Sequence, residues 1–133
     1  MNDEAQLLAL HQMVIQAHFD ADIDGWLEME TAAYISANRG VISYPSKEER
    51  RAGRTPYLQA TTFSEYRDVV DPVVKVSEDG TLGWVIVQVK VSGIQQMGDG
   101  EERPLSFESA WIELYEKKNG RWLCMGNVSN MKP

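Results

Sequence analysis

The chain has 133 residues, 43% of them hydrophobic and 25% charged, which is enough to fold as one globular domain over residues 1–133. Its formal net charge of -7 argues against nucleic-acid binding, and its one cysteine, Cys124, excludes an internal disulfide and a cysteine-cluster metal site. The acidic N-terminus and the lack of a membrane-length apolar run predict a cytoplasmic protein with no membrane partner.

Two helices are predicted at the start of the chain. From Asp3 to about Asp20, apolar residues and both histidines recur three and four positions apart, which places them on one stripe of a helix. Asp22 follows as the predicted N-cap of a short helix over residues 23–29, with Trp26 pointing inward.

A third helix is predicted over residues 46–60. Ser46 and Glu49 have the spacing of a capping box, in which each side chain accepts a hydrogen bond from the backbone amide of the other. Gly53 and the pair Thr55-Pro56 predict a break at residues 53–55, with Thr55 capping a second piece.

This third helix also carries a basic cluster made of Lys47, Arg50, Arg51 and Arg54. Because Glu48 and Glu49 are interleaved with it, the sequence favours a solvated helix face over an anion site.

The remaining elements are strands. Residues 31–44 alternate around the turn Asn38-Arg39-Gly40, which predicts a small hairpin. Long strands joined by short turns, typical of an antiparallel meander, are predicted over residues 62–77, 82–96, 103–117 and 121–131. Asp71-Pro72 interrupts the first of these, because proline cannot donate to a ladder, and so predicts an edge position or a bulge.

Both faces of the two longest strands are substantially apolar. One face of strand 103–117 carries Trp111 and Glu113, and the other carries Ile112 and Leu114. A face in contact with water would be clearly polar, so both faces are predicted to be covered: one by the helices, the other by a second subunit. Strand curvature that leaves aromatic side chains flat on the surface is the alternative, and the sequence leaves open which face meets which cover.

The element order and several local motifs resemble a known family. The resemblance rests on Asp22 before the short helix, the segment Tyr44-Pro45-Ser46-Lys47-Glu48-Glu49, and the strand-turn-strand that ends in Asn119-Gly120-Arg121-Trp122. The chain resembles the SnoaL-like branch of the nuclear-transport-factor-like (cystatin-like cone) superfamily over almost its whole length. The resemblance implies an α+β fold in which a curved antiparallel sheet wraps round the N-terminal helix, with a cone-shaped internal cavity and a homodimer formed through the outer sheet face.

The resemblance leaves the function open, because this superfamily includes isomerases, polyketide cyclases, dehydratases, oligomerisation domains and transport adaptors. The Tyr and two Asp residues that the steroid isomerases use are not placed on this sequence, since Asp22 and Asp24 are explained by the start of a helix. Three hypotheses follow: a domain that binds a small, largely apolar ligand with an acid or amide tip, an acid-base enzyme, or an oligomerisation or interaction module.

Two residues are the predicted acid-base candidates. His18, near the end of the first helix, is placed where the cavity would open and could move protons, although a packed histidine is the alternative. Glu113 could act as an acid or base inside an apolar cavity, with Gln88 and Lys90 pairing with it from the same face, or it could be an exposed strand residue. His11 is seven positions from His18 and is predicted to be a packed side chain.

Several other side chains are candidates for contact with a ligand. They are aromatic residues from four elements and one amide from the last strand: Trp26, Tyr34, Tyr57, Trp111 and Asn127. Core packing is the alternative for the aromatics, and a frayed strand end is the alternative for Asn127, Ser129 and Asn130. The sequence shows no phosphate loop, triad order or metal-ligand spacing, so no cofactor and no metal are predicted.

Overall fold

The computed structural model describes all residues, 1–133. Its three helices are α1 (Asp3–Phe19), α2 (Ile23–Glu28) and α3 (Lys47–Ala60). Its seven strands are β1 (Glu30–Asn38), β2 (Val41–Ser43), β3 (Thr61–Asp68), β4 (Val73–Val76), β5 (Leu82–Gln96), β6 (Glu102–Lys118) and β7 (Arg121–Met131). No helix is both long enough and apolar enough to cross a membrane.

The helices begin where the sequence predicts. The Asp22 side chain accepts the Gly25 amide at 2.9 Å, and Ser46 and Glu49 form both bonds of the capping box at 3.1 Å. The predicted break at 53–55 is wrong, because α3 continues through Pro56 without a cap at Thr55.

All seven strands form one curved sheet in the order β2-β1-β7-β6-β5-β3, with β4 also pairing with β5. The strand predicted over residues 62–77 is therefore two strands, β3 and β4, which meet β5 at different places on either side of Asp71-Pro72. The α+β cone fold is confirmed, with one departure from a purely antiparallel sheet: β1 runs parallel to β7.

The inner face of the sheet carries the core. Alternate residues of β5 point inward and are almost fully buried: Val85, Val87, Val89 and Val91. The α1 helix packs across β3, β4 and β5 and places Leu7 in the same cluster. Because side chains alternate along a strand, the register of β5 with β6 puts Trp111 and Glu113 on this inner face.

The outer face holds two rows of aligned side chains that are largely apolar. The first row runs across five strands through Val73, Ile86, Ile112, Val128 and Ala37. The second row runs through Lys75, Trp84, Leu114, Gly126 and Ile35. Several of these side chains are exposed, including Val73 at 55%, Val128 at 44% and Ile86 at 41%.

Candidate functional site

A cavity of about 420 Å³ lies between the helices and the inner face of the sheet. Its walls come from α1, α2, α3, β1, β3, β6 and β7, so it is built from residues far apart in the sequence. A volume in this range suits a small organic molecule.

Glu113 is the centre of a buried polar cluster at one wall of the cavity. Its Oε2 accepts hydrogen bonds from His11 Nδ1 at 2.8 Å and Trp111 Nε1 at 2.7 Å, and its Oε1 accepts one from the Tyr115 hydroxyl at 2.7 Å. The carboxyl group of Glu113 is thus the shared acceptor of three side-chain donors.

His11 lies between two carboxylates. Its Nε2 contacts Asp68 Oδ1 at 2.7 Å while Nδ1 contacts Glu113, so both ring nitrogens must donate, which requires the charged imidazolium. Burial lowers the pKa of this ring, but the hydrogen bond and charge of Glu113, and then those of Asp68, outweigh it and raise the pKa from 6.5 to about 9.

His18 lines the cavity in an aromatic setting. Its ring centroid is 4.3 Å from that of Trp26 and 4.8 Å from that of Tyr66. Its Nδ1 donates to the Val14 carbonyl oxygen at 2.8 Å, which leaves Nε2 as an acceptor with no partner in the chain. Burial, assisted by the charge of Arg54, lowers the pKa of His18 to about 4, so the ring is neutral at pH 7.

A second charged group comes from α3. Glu30 Oε1 accepts hydrogen bonds from Arg50 Nη1 at 2.8 Å and Arg54 Nη1 at 2.7 Å. All three guanidinium nitrogens of Arg50 are engaged, because Nε and Nη2 bind backbone carbonyl oxygens. Arg54 stacks over the Trp26 ring at 4.0 Å, and its remaining N–H groups have no partner in the chain. The group therefore carries one net positive charge at the cavity wall.

Other polar side chains of the lining also lack a hydrogen-bond partner within the chain. They are Ser36, Asn38, Tyr34, Tyr66, Asn127 and Ser129. Burial raises the pKa of both the Tyr34 and the Tyr66 hydroxyl, so each is a neutral donor at pH 7. The cavity thus offers polar groups whose hydrogen-bonding capacity the protein does not use.

The structure brings together six of the seven side chains singled out from the sequence, which line one cavity: His18, Trp26, Tyr34, Trp111, Glu113 and Asn127. Tyr57 is not part of the lining. Its ring lies behind His18, with the two centroids 6.4 Å apart, and burial raises the pKa of its hydroxyl to about 12.

The predicted pairing of Gln88 and Lys90 with Glu113 is wrong. In the register of β5 with β6 they lie opposite Ala110 and Glu108 on the outer face, whereas Glu113 lies opposite Val85. Asn130 lies opposite Ala110 and points to the outer face of the sheet. It is therefore separated from Asn127 and Ser129, which line the cavity.

Sequence reasoning missed the arginines, and it predicted His11 as a packed side chain without its carboxylate partners. The interleaved glutamates indicated a solvated helix face, yet Arg50 is only 4% exposed and Arg54 lines the cavity. The available signal was spacing, because residues 50 and 54 are one helical turn apart and both can reach one carboxylate. His11 lies on the predicted stripe with buried Leu7 and His18, but that stripe gives no indication of its pairing with Glu113 and Asp68.

Comparison with known proteins identifies the fold. No family model matches the chain, and a search of curated proteins finds no significant match. Among solved structures, an NTF2-like protein from Cytophaga hutchinsonii is similar with a TM-score of 0.77 and 14% identity, covering 99% of this chain and 100% of that one.

Two further structures show how widely this fold is used. A ketosteroid isomerase-like protein from Erwinia carotovora atroseptica has a TM-score of 0.71 at 14% identity, covering 99% of this chain and 98% of that chain. The CamKII hub homology domain of Chlamydomonas reinhardtii has a TM-score of 0.73 at 14% identity, covering 99% and 100%. The chain therefore has the NTF2-like, cystatin-like cone fold, and identities this low carry the fold alone.

Proposed function

We propose that this NTF2-like cone protein binds a small, largely apolar molecule with a carboxylate tip in its cavity. The observation that carries the proposal is the unused polar capacity beside apolar walls. Arg54 has free N–H groups, and because Glu30 pairs with both Arg54 and Arg50, one positive charge is left unbalanced. The Tyr34 and Asn127 side chains have no hydrogen-bond partner. A carboxylate accepts from such donors, and the aromatic walls suit an apolar body.

The proposal is tested with hexanoate, hexanamide and hexanol, which share one apolar chain and differ in the tip. Isothermal titration calorimetry of the purified protein is expected to rank hexanoate first. Arg54→Gln should weaken hexanoate binding by about 10- to 100-fold, as expected for loss of a charged hydrogen-bond donor.

Arg51→Gln is the matched control for this experiment, because Arg51 lies on the same helix, is exposed and is absent from the lining. This variant should bind like the wild type. Equal affinity for all three probes, or an Arg54→Gln variant that binds hexanoate as the wild type does, would contradict the carboxylate assignment.

A second candidate function is acid-base catalysis in the same cavity, of the isomerase, cyclase or dehydratase type. It is favoured by the neutral His18, whose free Nε2 could accept a proton from a bound molecule, with Glu113 in the same lining. Levulinate, an oxo acid with enolisable C–H groups, should then incorporate deuterium in D₂O. The rate should fall to the buffer rate in His18→Phe, and no enhancement by the wild type would contradict catalysis.

The outer face supports a homodimer. Two rows of largely apolar side chains run across five strands there, and an apolar face of this extent is typical of an interface between subunits. A twofold axis would place the same patch on both partners. An interaction module with a filled cavity is less well supported, because this cavity is open.

Sedimentation by analytical ultracentrifugation at micromolar concentration is expected to give twice the chain mass. Ile86→Glu should shift the protein to monomer, because it places a charge within the apolar rows. Val70→Glu, at an exposed valine in the loop between β3 and β4, should leave the dimer intact. A monomer mass for the wild type would rule the dimer out.

A further inference from the structure

A second concave site lies next to the cavity. It is a groove of about 340 Å³ between one side of α1 and the turn that joins β6 to β7. Most of its surface is apolar and comes from Met1, Ala9, Leu10, Met13, Met29 and Trp122. Met13 is 54% exposed, which is a large apolar side chain left open to solvent.

The groove and the cavity are neighbours that share two side chains. Leu10 and Met29 belong to the lining of both, so these two residues lie between the cavity and the groove. Methionine is unbranched, with three rotatable bonds, and changes its shape at little cost. A ligand chain could therefore pass between Leu10 and Met29 when their side chains turn aside.

We propose that the groove holds the alkyl tail of an amphiphilic carboxylate whose head lies in the cavity. This proposal rests on the proposed function of the cavity and makes it more specific: the ligand is a medium- to long-chain fatty acid or a similar single-chain acid. We infer the alkyl tail from the two residues that the sites share and from the apolar character of the groove, in which Arg121 is the charged side chain of the lining.

Chain length is the variable that separates this proposal from binding in the cavity alone. Titration with butyrate, hexanoate, octanoate, decanoate and dodecanoate, each below its critical micelle concentration, should show affinity rising by about fourfold for each buried methylene. In the wild type the rise should continue to the longest chains, because the groove extends the site.

Ala9→Trp tests the groove directly. Ala9 lines the groove and not the cavity, so a bulky ring there should leave butyrate binding unchanged and stop the rise at a shorter chain. Ala52→Trp makes the same substitution at an exposed alanine of α3 that lines neither site, and it should behave like the wild type. Circular dichroism establishes that both variants are folded.

Methionine methyl resonances give a second readout that needs no substitution. With methyl-¹³C methionine, the Met13 signal should shift on addition of dodecanoate but not of butyrate, while Met97, in the loop between β5 and β6, should stay in place. Met29, which lines both sites, should respond to both acids.

The possible results separate the two proposals. Short acids that bind, combined with an identical plateau in wild type and Ala9→Trp, would overturn the groove assignment and leave the cavity proposal standing. No binding at any chain length would overturn both. A Met13 shift that follows protein concentration instead of ligand would assign the groove to a second copy of the chain, and would also overturn the inference.

Discussion

His11 and His18 are two turns apart on α1, and both side chains are buried, yet their surroundings act on their charge in opposite directions. Around His11 lie two carboxylates, which raise its pKa to about 9. Around His18 lie aromatic rings and the charge of Arg54, and the pKa falls to about 4. Burial disfavours charge at both positions, so the difference comes from the partners that face each ring.

The surroundings of the two histidines form two parts of the cavity wall, which differ in whether their polar groups find hydrogen-bond partners within the protein. The polar cluster around Glu113 has its hydrogen bonds satisfied within the protein, which suits a fixed support for the sheet and α1. The surroundings of His18 leave a ring nitrogen and two tyrosine hydroxyls unpaired at the cavity, which suits contact with a bound molecule.

The largest expected effect comes from removing the cation of the polar cluster. His11→Leu leaves Glu113 and Asp68 buried or half-buried without the charge between them, and should lower the free energy of unfolding by about 3–5 kcal/mol at pH 7. Urea denaturation followed by tryptophan fluorescence measures it. Gln12→Leu, which removes only an exposed donor to Asp68, is the control and should cost less than about 1 kcal/mol. A loss that small for His11→Leu would contradict the support role.

The same histidine predicts how stability changes in alkaline solution. The folded-state pKa of His11 lies above the unfolded value of 6.5, so its contribution is complete below pH 6.5 and is lost as pH rises through about 9. A shift of this size corresponds to about 3 kcal/mol. Urea titrations between pH 6.5 and 9.5 should show this decline in the wild type. A decline of equal size in His11→Leu would show that another group is responsible.

The fold could largely be predicted from the sequence because its signals are local. The alternation of β5 and β6 gave their bounds to within a residue, and the capping residues Asp22 and Ser46 marked the helix starts. The predicted break in α3 was wrong because tertiary contacts outweigh the low helix propensity of Gly53 and Pro56. Arg50 and Arg54, one turn apart, bind the same oxygen of Glu30 and so hold the helix continuous across Gly53.

The candidate site was predictable only in part, because pairing across the fold is not written in any one segment. The contact of His11 with Asp68 joins residues 57 positions apart, and its contact with Glu113 joins residues 102 apart. The alternation of β6 put Trp111 and Glu113 on one face but could not say which way that face points. That orientation depends on where α1 lies, and the structure places both residues inside.

His18 predicts the opposite dependence, on the acid side. Its folded-state pKa lies below 6.5, so its contribution is present above pH 6.5 and is lost as pH falls through about 4, again by about 3 kcal/mol. His18→Phe keeps an aromatic ring but cannot be protonated. The variant should therefore lose less stability than the wild type between pH 6.5 and 4.5 in urea titrations. If the free energy of unfolding fell equally in both proteins over this pH range, a group other than His18 would be responsible for the loss.

The smallest expected effect compares Tyr115, in the polar cluster around Glu113, with Tyr57, whose ring lies behind His18 outside the lining. Tyr115→Phe removes a donor to the Glu113 carboxylate and should lower the free energy of unfolding by about 2 kcal/mol, the range for a hydrogen bond to a charged group. Tyr57→Phe removes a hydroxyl that has no partner beside His18, and it should be close to neutral. Thermal and urea unfolding of both variants measure the difference. Equal losses would mean that hydroxyl burial, rather than the carboxylate of Glu113, sets the cost, and the division between the two parts of the wall would then fail.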